Sequence, residues 1–120
     1  MRYRPITRNK EFARAYARGK AFVHPKLVLY VMKNRLGHTR VGITATKKIG
    51  NAVQRNRSRR VIREAFRQLC PRVRRGFYLV LVARGRTPFV KSTQVLRQLE
   101  KELSAAGLLV PEGSGGEGAL

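Results

Sequence analysis

The chain has 120 residues and a net charge of +21, and 42% of its residues are apolar, which suits one domain with its own core. No stretch approaches the roughly 20 apolar residues of a membrane span, and no apolar signal-peptide core follows the N-terminus, so we expect a cytoplasmic protein without a membrane partner. Its single cysteine, Cys70, excludes an internal disulfide and a cysteine-rich zinc site.

The positive charge is concentrated in the first two-thirds of the chain. Residues 1–75 contain 22 of the 27 basic residues but only two of the six acids. Such a charge destabilises a compact chain unless a polyanion neutralises it. Nucleic acid is the leading candidate, because each phosphate contact releases counterions. A membrane surface is the rival, but the chain has no anchoring segment or lipid signal.

A basic arm and an amphipathic helix begin the chain. Residues 1–6 are predicted to be a flexible arm. Apolar residues along one side predict a helix over about residues 8–18. Thr7 or Asn9 is suited to cap its N-terminus, and Gly19 to end it.

Two strands should follow this helix. Residues 27–32 are short, apolar and rich in β-branched or aromatic side chains, which is typical of a strand. Residues 33–39 contain turn formers, and residues 41–46 alternate apolar and small or polar side chains as a second strand. Residues 22–23 add a short edge strand.

The second half of the chain predicts helix, strand and helix. The first helix covers about residues 52–69 and is ended by Pro71. Residues 77–83 are continuously apolar, which is typical of a strand buried on both faces. Thr87 and Pro88 resemble an N-cap followed by a first-turn proline, so a final helix should run from there to about residue 106.

These elements indicate an α+β fold, in which helices pack on one sheet. Residues 1–110 are predicted to form a single domain that binds nucleic acid. Residues 111–120 are rich in glycine and are predicted to be a disordered tail.

One segment, residues 47–63, combines seven cations and no acid with apolar residues at helical spacing. At about 100° per residue, one helix face carries guanidinium groups and one amide, while the opposite face is apolar. This basic face consists of Arg55, Asn56, Arg59, Arg60, Arg63 and Arg67, with Arg57 set apart. Like charges four residues apart destabilise a helix, so the pattern favours a phosphate-bearing partner over simple solvation.

Three aromatic residues leave two interpretations open. Phe12 and Tyr16 share one helix face, and Tyr30 lies on a strand that could run beside it. Exposed rings would stack on bases without sequence preference. By spacing alone the core is the commoner place for such rings. The remaining core aromatics are predicted to be Phe66, Phe77 and Phe89.

The chain shows no catalytic constellation of its own. His24 and His38 lack acid neighbours and metal-ligand spacing, and Cys70 is more consistent with a buried structural thiol than with a nucleophile. The six acids are scattered, so neither a metal site on the protein nor an organic cofactor is expected.

The basic segment resembles the signature of the bacterial ribonuclease P protein subunit. The matching pattern is Lys47-Lys48-x-Gly50-x-Ala52-Val53-x-Arg55-Asn56-Arg57-x-Arg59-Arg60-x-Ile62-Arg63-Glu64. The pattern Phe12-x-x-x-Tyr16-x-x-Gly19 and the strand at residues 27–30 are also similar to the family. Ser58 departs from it, since the family usually has an apolar residue there, and weaker packing is expected at that turn.

The resemblance implies an α-β-β-β-α-β-α sandwich with a left-handed β-α-β crossover. It also implies that a catalytic RNA subunit removes the 5′ leader of precursor tRNA with Mg²⁺, while one protein per RNA binds that RNA and the leader. The alternative is a ribosomal protein or general RNA-binding chaperone that uses the same basic face. A DNA-binding or membrane-surface module is a third possibility, without a groove-reading or anchoring element to support it.

The resemblance assigns residues to three surfaces. The RNA-subunit contact would comprise Arg55, Asn56, Arg57, Arg59, Arg60, Arg63 and Arg67. Lys47, Lys48, Arg55 and Asn56 would lie near the catalytic RNA and its metal ions. The leader cleft would comprise Phe12, Tyr16, Tyr30 and Lys47, with Arg14, Arg18, Arg84 and Arg86 as weaker candidates for its rim.

Overall fold

Five strands and three α-helices make up residues 4–110, the part of the chain that this computed structural model describes. The strands are β1 (Arg4–Pro5), β2 (Lys20–His24), β3 (Leu27–Lys33), β4 (Arg40–Thr44) and β5 (Phe77–Ala83). The helices are α1 (Asn9–Arg18), α2 (Ala52–Leu69) and α3 (Ser92–Ala105). Single 3₁₀ turns lie at Lys47–Ile49, Cys70–Arg72 and Thr87–Phe89. None of the helices in residues 4–110 is long and apolar enough to cross a membrane.

The strands form one mixed sheet in the order β1-β4-β5-β3-β2. β4 runs parallel to both β1 and β5, whereas β3 is antiparallel to β5 and to β2. The predicted α+β fold and its order of elements are confirmed. α2 connects the neighbouring parallel strands β4 and β5, so the crossover unit is present, and its left-handedness remains what the resemblance implies.

Helices cover both faces of the sheet. On one face, α2 and α3 bury the larger core, in which Phe66 and Leu99 pack with Leu29 and Leu81 of the central strands. On the other face, α1 covers a smaller cluster around Ala15, with the inward residues of β5 beneath it. β5 contributes side chains to both cores, which explains why its sequence is continuously apolar. The prediction of a strand buried on both faces is therefore confirmed.

α2 begins and ends where the sequence predicts. The Asn51 side chain accepts a hydrogen bond from the Gln54 backbone N–H at 2.9 Å, and the Gln54 side chain accepts one from the Asn51 N–H at 3.1 Å. Gly50 precedes this cap with φ 142°, a conformation that disfavours other residues. Ser58, where weaker packing was expected, is fully buried. Its hydroxyl donates a hydrogen bond to the Gln54 carbonyl at 2.9 Å, so no polar group is left without a partner at this turn.

The start of the chain differs from the prediction. The expected flexible arm is wrong for its described part, because Arg4 and Pro5 pair with β4 and the Ile6 N–H donates to the Val41 carbonyl at 2.9 Å. The buried Ile6 side chain holds this segment on the α1 face of the sheet. Arg8, rather than Thr7 or Asn9, is the N-cap of α1, and its side chain makes no capping bond. Residues 1–3 and the predicted tail at 111–120 lie outside the described part.

The start of the last helix also differs. Thr87 and Pro88 begin only a 3₁₀ turn, and α3 starts at Ser92. The Thr87 hydroxyl ties that turn to the sheet, since it donates to the Lys26 carbonyl at 2.7 Å and accepts from the Arg84 N–H at 2.8 Å. Phe89 therefore lies outside the core, with 73% of its surface exposed, whereas the predictions for Phe66 and Phe77 are confirmed.

Candidate nucleic-acid interface

Three aromatic rings form a cluster on the α1 face of the sheet. The Phe12 and Tyr16 ring centroids are 6.5 Å apart, and the Tyr16 ring meets the Tyr30 ring edge-on at 5.0 Å. The Tyr16 hydroxyl lies 3.4 Å from the Thr44 hydroxyl. Tyr16 is 42% exposed, and Phe12 and Tyr30 are partly exposed. The cluster, called here the aromatic cleft, is therefore open to a ligand rather than part of a closed core.

Gly42 of β4 provides the space for the first of these rings. A Cβ atom at this position would overlap the Phe12 ring. The sequence prediction missed this role, although a glycine within an apolar strand commonly marks close approach by another group.

A buried ion pair holds α1 on the sheet beside the aromatic cleft. Arg40 Nη1 donates to the Glu11 carboxylate at 3.1 Å, and Glu11 is only 6% exposed. The Tyr78 phenol lies in the same layer, and its pKa is raised by burial and by the neighbouring Glu11 carboxylate. Removal of one partner would leave the other charge buried and unpaired.

The structure separates the predicted rim arginines. Arg14 and Arg18 lie on the flank of α1 opposite the aromatic cleft, where they border a groove of about 380 Å³ together with Lys33, Arg35 and Tyr78. This is expected from helix geometry, since Phe12 and Tyr16 are rotated from Arg14 and Arg18 to the other side of the buried Ala15. Their assignment to the rim of the aromatic cleft is therefore wrong.

The other predicted cations gather at one end of the sheet. β4 and β5 are parallel, so the residues that follow Thr44 and Ala83 leave the sheet at the same end. Lys47 and Lys48 follow the first strand in an exposed 3₁₀ turn, and the exposed Arg84 and Arg86 follow the second. Because Tyr16 contacts Thr44, the aromatic cleft lies toward this cationic end.

Two arginines of the basic face are fixed by backbone carbonyls. Arg55 Nη1 donates to the Gly50 carbonyl at 3.1 Å, and Arg59 Nη2 donates to the Ala45 carbonyl at 3.3 Å. Arg59 Nη1 also donates to the Asn56 amide oxygen at 2.9 Å. This bond orients the exposed Asn56 amide and leaves its NH₂ group available as a donor.

Further along α2 the cations differ in their pairing. Arg60 and Arg63 are exposed, and we find no hydrogen bond or ion pair for either within residues 4–110. Arg67 pairs with Glu64 at 2.8 Å on the surface. Arg57 borders Arg60 at the edge of the basic face, and its Nε donates to the Pro88 carbonyl at 2.6 Å.

Among the described residues, the remaining reactive side chains form no second site. Cys70 is fully buried, and burial raises the pKa of its thiol to about 11. Burial and neighbouring cations lower the pKa of His24, whose Nδ1 accepts from the Lys26 N–H at 3.1 Å. Within residues 4–110, no group of three or more His, Cys, Asp or Glu residues could hold a metal ion.

The chain is similar in sequence to proteins of one family. The model of the family Ribonuclease P matches residues 1–107. The ribonuclease P protein component of Symbiobacterium thermophilum is 41% identical over 103 residues, which cover 85% of this chain and 90% of the relative. That of Clostridium novyi is 39% identical over 105 residues, covering 86% and 93%.

Solved structures agree with the sequence comparison. The Staphylococcus aureus RNase P protein superposes with a TM-score of 0.77 at 32% identity, covering 92% of this chain and 100% of that one. The Thermotoga maritima RNase P protein gives 0.74 at 27% identity, covering 87% and 97%. The alternative of a ribosomal protein or general RNA chaperone gains no support from these matches. The chain therefore belongs to the ribonuclease P protein family, as a component of an endoribonuclease holoenzyme that acts in tRNA processing.

Proposed function

We propose that this chain holds the ribonuclease P RNA subunit on the basic face of α2 and the 5′ leader of precursor tRNA in the aromatic cleft. The observation that supports this best is the position of both surfaces around the carboxyl end of β4. There the Tyr16 hydroxyl lies beside Thr44, and Arg59 donates to the next residue, Ala45. Two RNA segments bound at this end would lie close together.

The basic face suits a structured RNA. Arg55 and Arg59 are held in place by backbone carbonyls, so their guanidinium groups lose little additional freedom on binding. Arg60 and Arg63 extend into solvent and supply forked donors for phosphate oxygens. Partnership with the ribonuclease P RNA follows from the family, and the assignment of this face to it is the proposal.

The aromatic cleft suits a single strand of variable sequence. Every base has a π face, so stacking on Tyr16, Phe12 and Tyr30 tolerates any leader. Lys47 adds a positive charge three residues beyond Thr44, where it would contact the leader backbone.

In this proposal the RNA subunit performs the cleavage, and Mg²⁺ is held mainly by RNA. Within residues 4–110 no three or more His, Cys, Asp or Glu side chains come together as a metal site, which supports binding of the ion by RNA rather than by the protein. Lys47, Lys48, Arg55 and Asn56 would lie beside the reacting RNA and place its phosphates and hydrated ions. The complex would contain one protein per RNA and act in the cytoplasm.

Reconstitution tests this function. The purified chain is added to its cognate RNA subunit and to a precursor tRNA with a 5′ leader, and cleavage is followed at low Mg²⁺ and physiological salt. We expect no cleavage by protein alone, slow cleavage by RNA alone, and faster cleavage with tighter precursor binding by the complex. An RNA subunit whose activity and precursor affinity are unchanged by the chain would refute the proposal.

A matched control separates specific assistance from general charge. The same assay is run with a basic ribosomal protein of similar net charge in place of the chain. If that protein stimulates cleavage equally, the effect of the chain is nonspecific neutralisation of the RNA charge, and the proposed binding of the RNA subunit and leader is refuted.

A further inference from the structure

An exposed phenylalanine beside the basic face is not used by the function proposed above. Phe89 is 73% exposed, although a side chain of this size usually buries most of its surface. It occupies the last position of the 3₁₀ turn between β5 and α3. No packing on the sheet explains its presence there.

The turn that carries Phe89 is fixed to α2. Arg57 Nε donates to the carbonyl of Pro88, the residue before Phe89, at 2.6 Å. Thr87 holds the other side of the turn through its bond to Lys26. The ring is therefore presented from a rigid support next to an arginine, rather than from a free loop.

Two hollows lined by cations lie on the adjoining surface, one of them bordered by Val90 and Lys91, which directly follow Phe89. One hollow of about 400 Å³ lies between α2 and the start of α3, and Arg57, Arg60 and Lys91 are among its lining residues. A second, of about 280 Å³, lies on the other side of the same two arginines and is lined also by Asn56 and the 75% exposed Val53. The only acid in either lining, Glu64, is already paired with Arg67.

We propose that Phe89 stacks on an unpaired base of the ribonuclease P RNA subunit, while Arg57, Arg60 and Lys91 bind the phosphates on either side of that base. The proposal rests on the function proposed above, because it extends the basic face around α2 toward α3. Arg60 belongs to both surfaces, so the RNA that covers the basic face reaches the hollows without a break. Phosphate requires cations and a base requires an exposed ring, and this site has both.

The occupant is the RNA subunit rather than the precursor. The aromatic cleft lies on the α1 face of the sheet, whereas Phe89 lies beside α2, which packs on the opposite face. A leader held in the cleft would have to cross the end of the sheet from the α1 face to the α2 face to reach Phe89.

Titration of the RNA subunit with Phe89 variants tests this site. Phe89→Ala should weaken RNA-subunit binding by about 5- to 150-fold, the range expected for loss of one base stack. Phe89→Tyr keeps the ring and should bind like the wild type. Val23→Ala removes an equally exposed apolar side chain from β2, away from the basic face, and should change nothing.

The salt dependence of binding separates this inference from the function on which it rests. Phe89→Ala should leave the slope of log K against log salt unchanged, since no phosphate contact is lost. Full RNA-subunit affinity for Phe89→Ala would overturn the stacking site while leaving the basic face intact. Loss of precursor affinity alone would overturn the choice of the RNA subunit as occupant. If wild-type protein does not bind the RNA subunit at all, the proposed function and the stacking site both fail.

Discussion

The Tyr16 ring meets the Tyr30 ring at an interplanar angle of 84°, with their centroids 5.0 Å apart. Tyr16 is on α1 and Tyr30 on β3, so the contact joins two elements at a place where both rings still reach solvent. A ring supported at its edge in this way keeps a face free for a base.

Tyr16→Ala should weaken binding of precursor tRNA to the reconstituted complex by about 5- to 150-fold, the range for one lost stack. Mature tRNA lacks the leader, and its affinity should not change. Tyr16→Phe keeps the ring and loses only the hydroxyl near Thr44, so it serves as the matched control. An equal loss of affinity for precursor and mature tRNA would show that the leader does not bind in this cleft.

Gly42→Ala should destabilise the fold and disturb the aromatic cleft together. The added methyl group occupies the position of the Phe12 ring, so that ring must move. Overpacking of this kind costs about 1–3 kcal/mol in the free energy of unfolding, which urea denaturation measures. Gly85→Ala is the control, because nothing lies within 4 Å of its added Cβ. Wild-type stability and precursor affinity in Gly42→Ala would show that the ring is not fixed by this glycine.

Arg60→Ala combined with Arg63→Ala should reduce the salt dependence of RNA-subunit binding. Each lost phosphate contact lowers the slope of log K against log salt by about one unit, so a change of about two is expected. Thermal stability should hold or rise slightly, since neighbouring like charges are removed. Arg97→Ala removes an exposed cation from α3 as a control. An unchanged slope in the double variant would place this part of α2 in solvent.

Glu102 should make the free energy of unfolding depend on pH. The residue is 5% exposed, Gln98 Nε2 donates to its Oε1 at 3.3 Å, and its Oε2 has no hydrogen-bond partner within residues 4–110. Burial raises the pKa of the carboxyl group to about 7 from the ordinary 4.5. Between these two values the folded chain binds the proton more tightly than the unfolded chain, so stability falls as pH rises.

The decrease due to Glu102 should amount to about 1–3 kcal/mol between pH 4.5 and 7. Glu102→Gln cannot ionise, so it should lose this component and be more stable than the wild type above pH 7. Denaturation curves of the two proteins at pH 5 and pH 7.5 measure the difference. If both proteins lose stability in parallel, the carboxyl group is not the cause.

The elements best predicted from the sequence are those with local signals. The bounds of α2 agree with the prediction of a helix over about residues 52–69 that Pro71 ends, whereas the Asn51 cap is found only in the structure. β5 is predicted by its continuous run of apolar residues, which the structure explains by the two cores that the strand contributes to. These signals involve residues adjacent in the chain, so no knowledge of distant contacts is required.

What the sequence could not predict depends on contacts between distant residues. The pairing of Arg4 with Arg40 joins residues far apart in the chain, and a basic residue before proline carries no strand signal. The Thr87-Pro88 pair has the residues of a helix start, but the Thr87 hydroxyl is used to bind the Lys26 carbonyl. Phe89 was assigned to the core because aromatic residues usually pack inward, and nothing local indicates that this turn faces solvent. By contrast, helix geometry alone predicts that Arg14 and Arg18 lie on the opposite side of Ala15 from Phe12 and Tyr16.

Thr44 and Ala45 are consecutive residues, and each is bound to a different helix. Thr44 lies beside the Tyr16 hydroxyl on one side of the sheet, and the Ala45 carbonyl accepts from Arg59 of α2 on the other. The Thr44 side chain and the Ala45 carbonyl, on consecutive residues, thus set the spacing between the cleft and the basic helix. If the cleft holds the leader and α2 holds the RNA subunit, as proposed, this part of the backbone fixes the distance between the two RNAs whatever the leader's length or sequence.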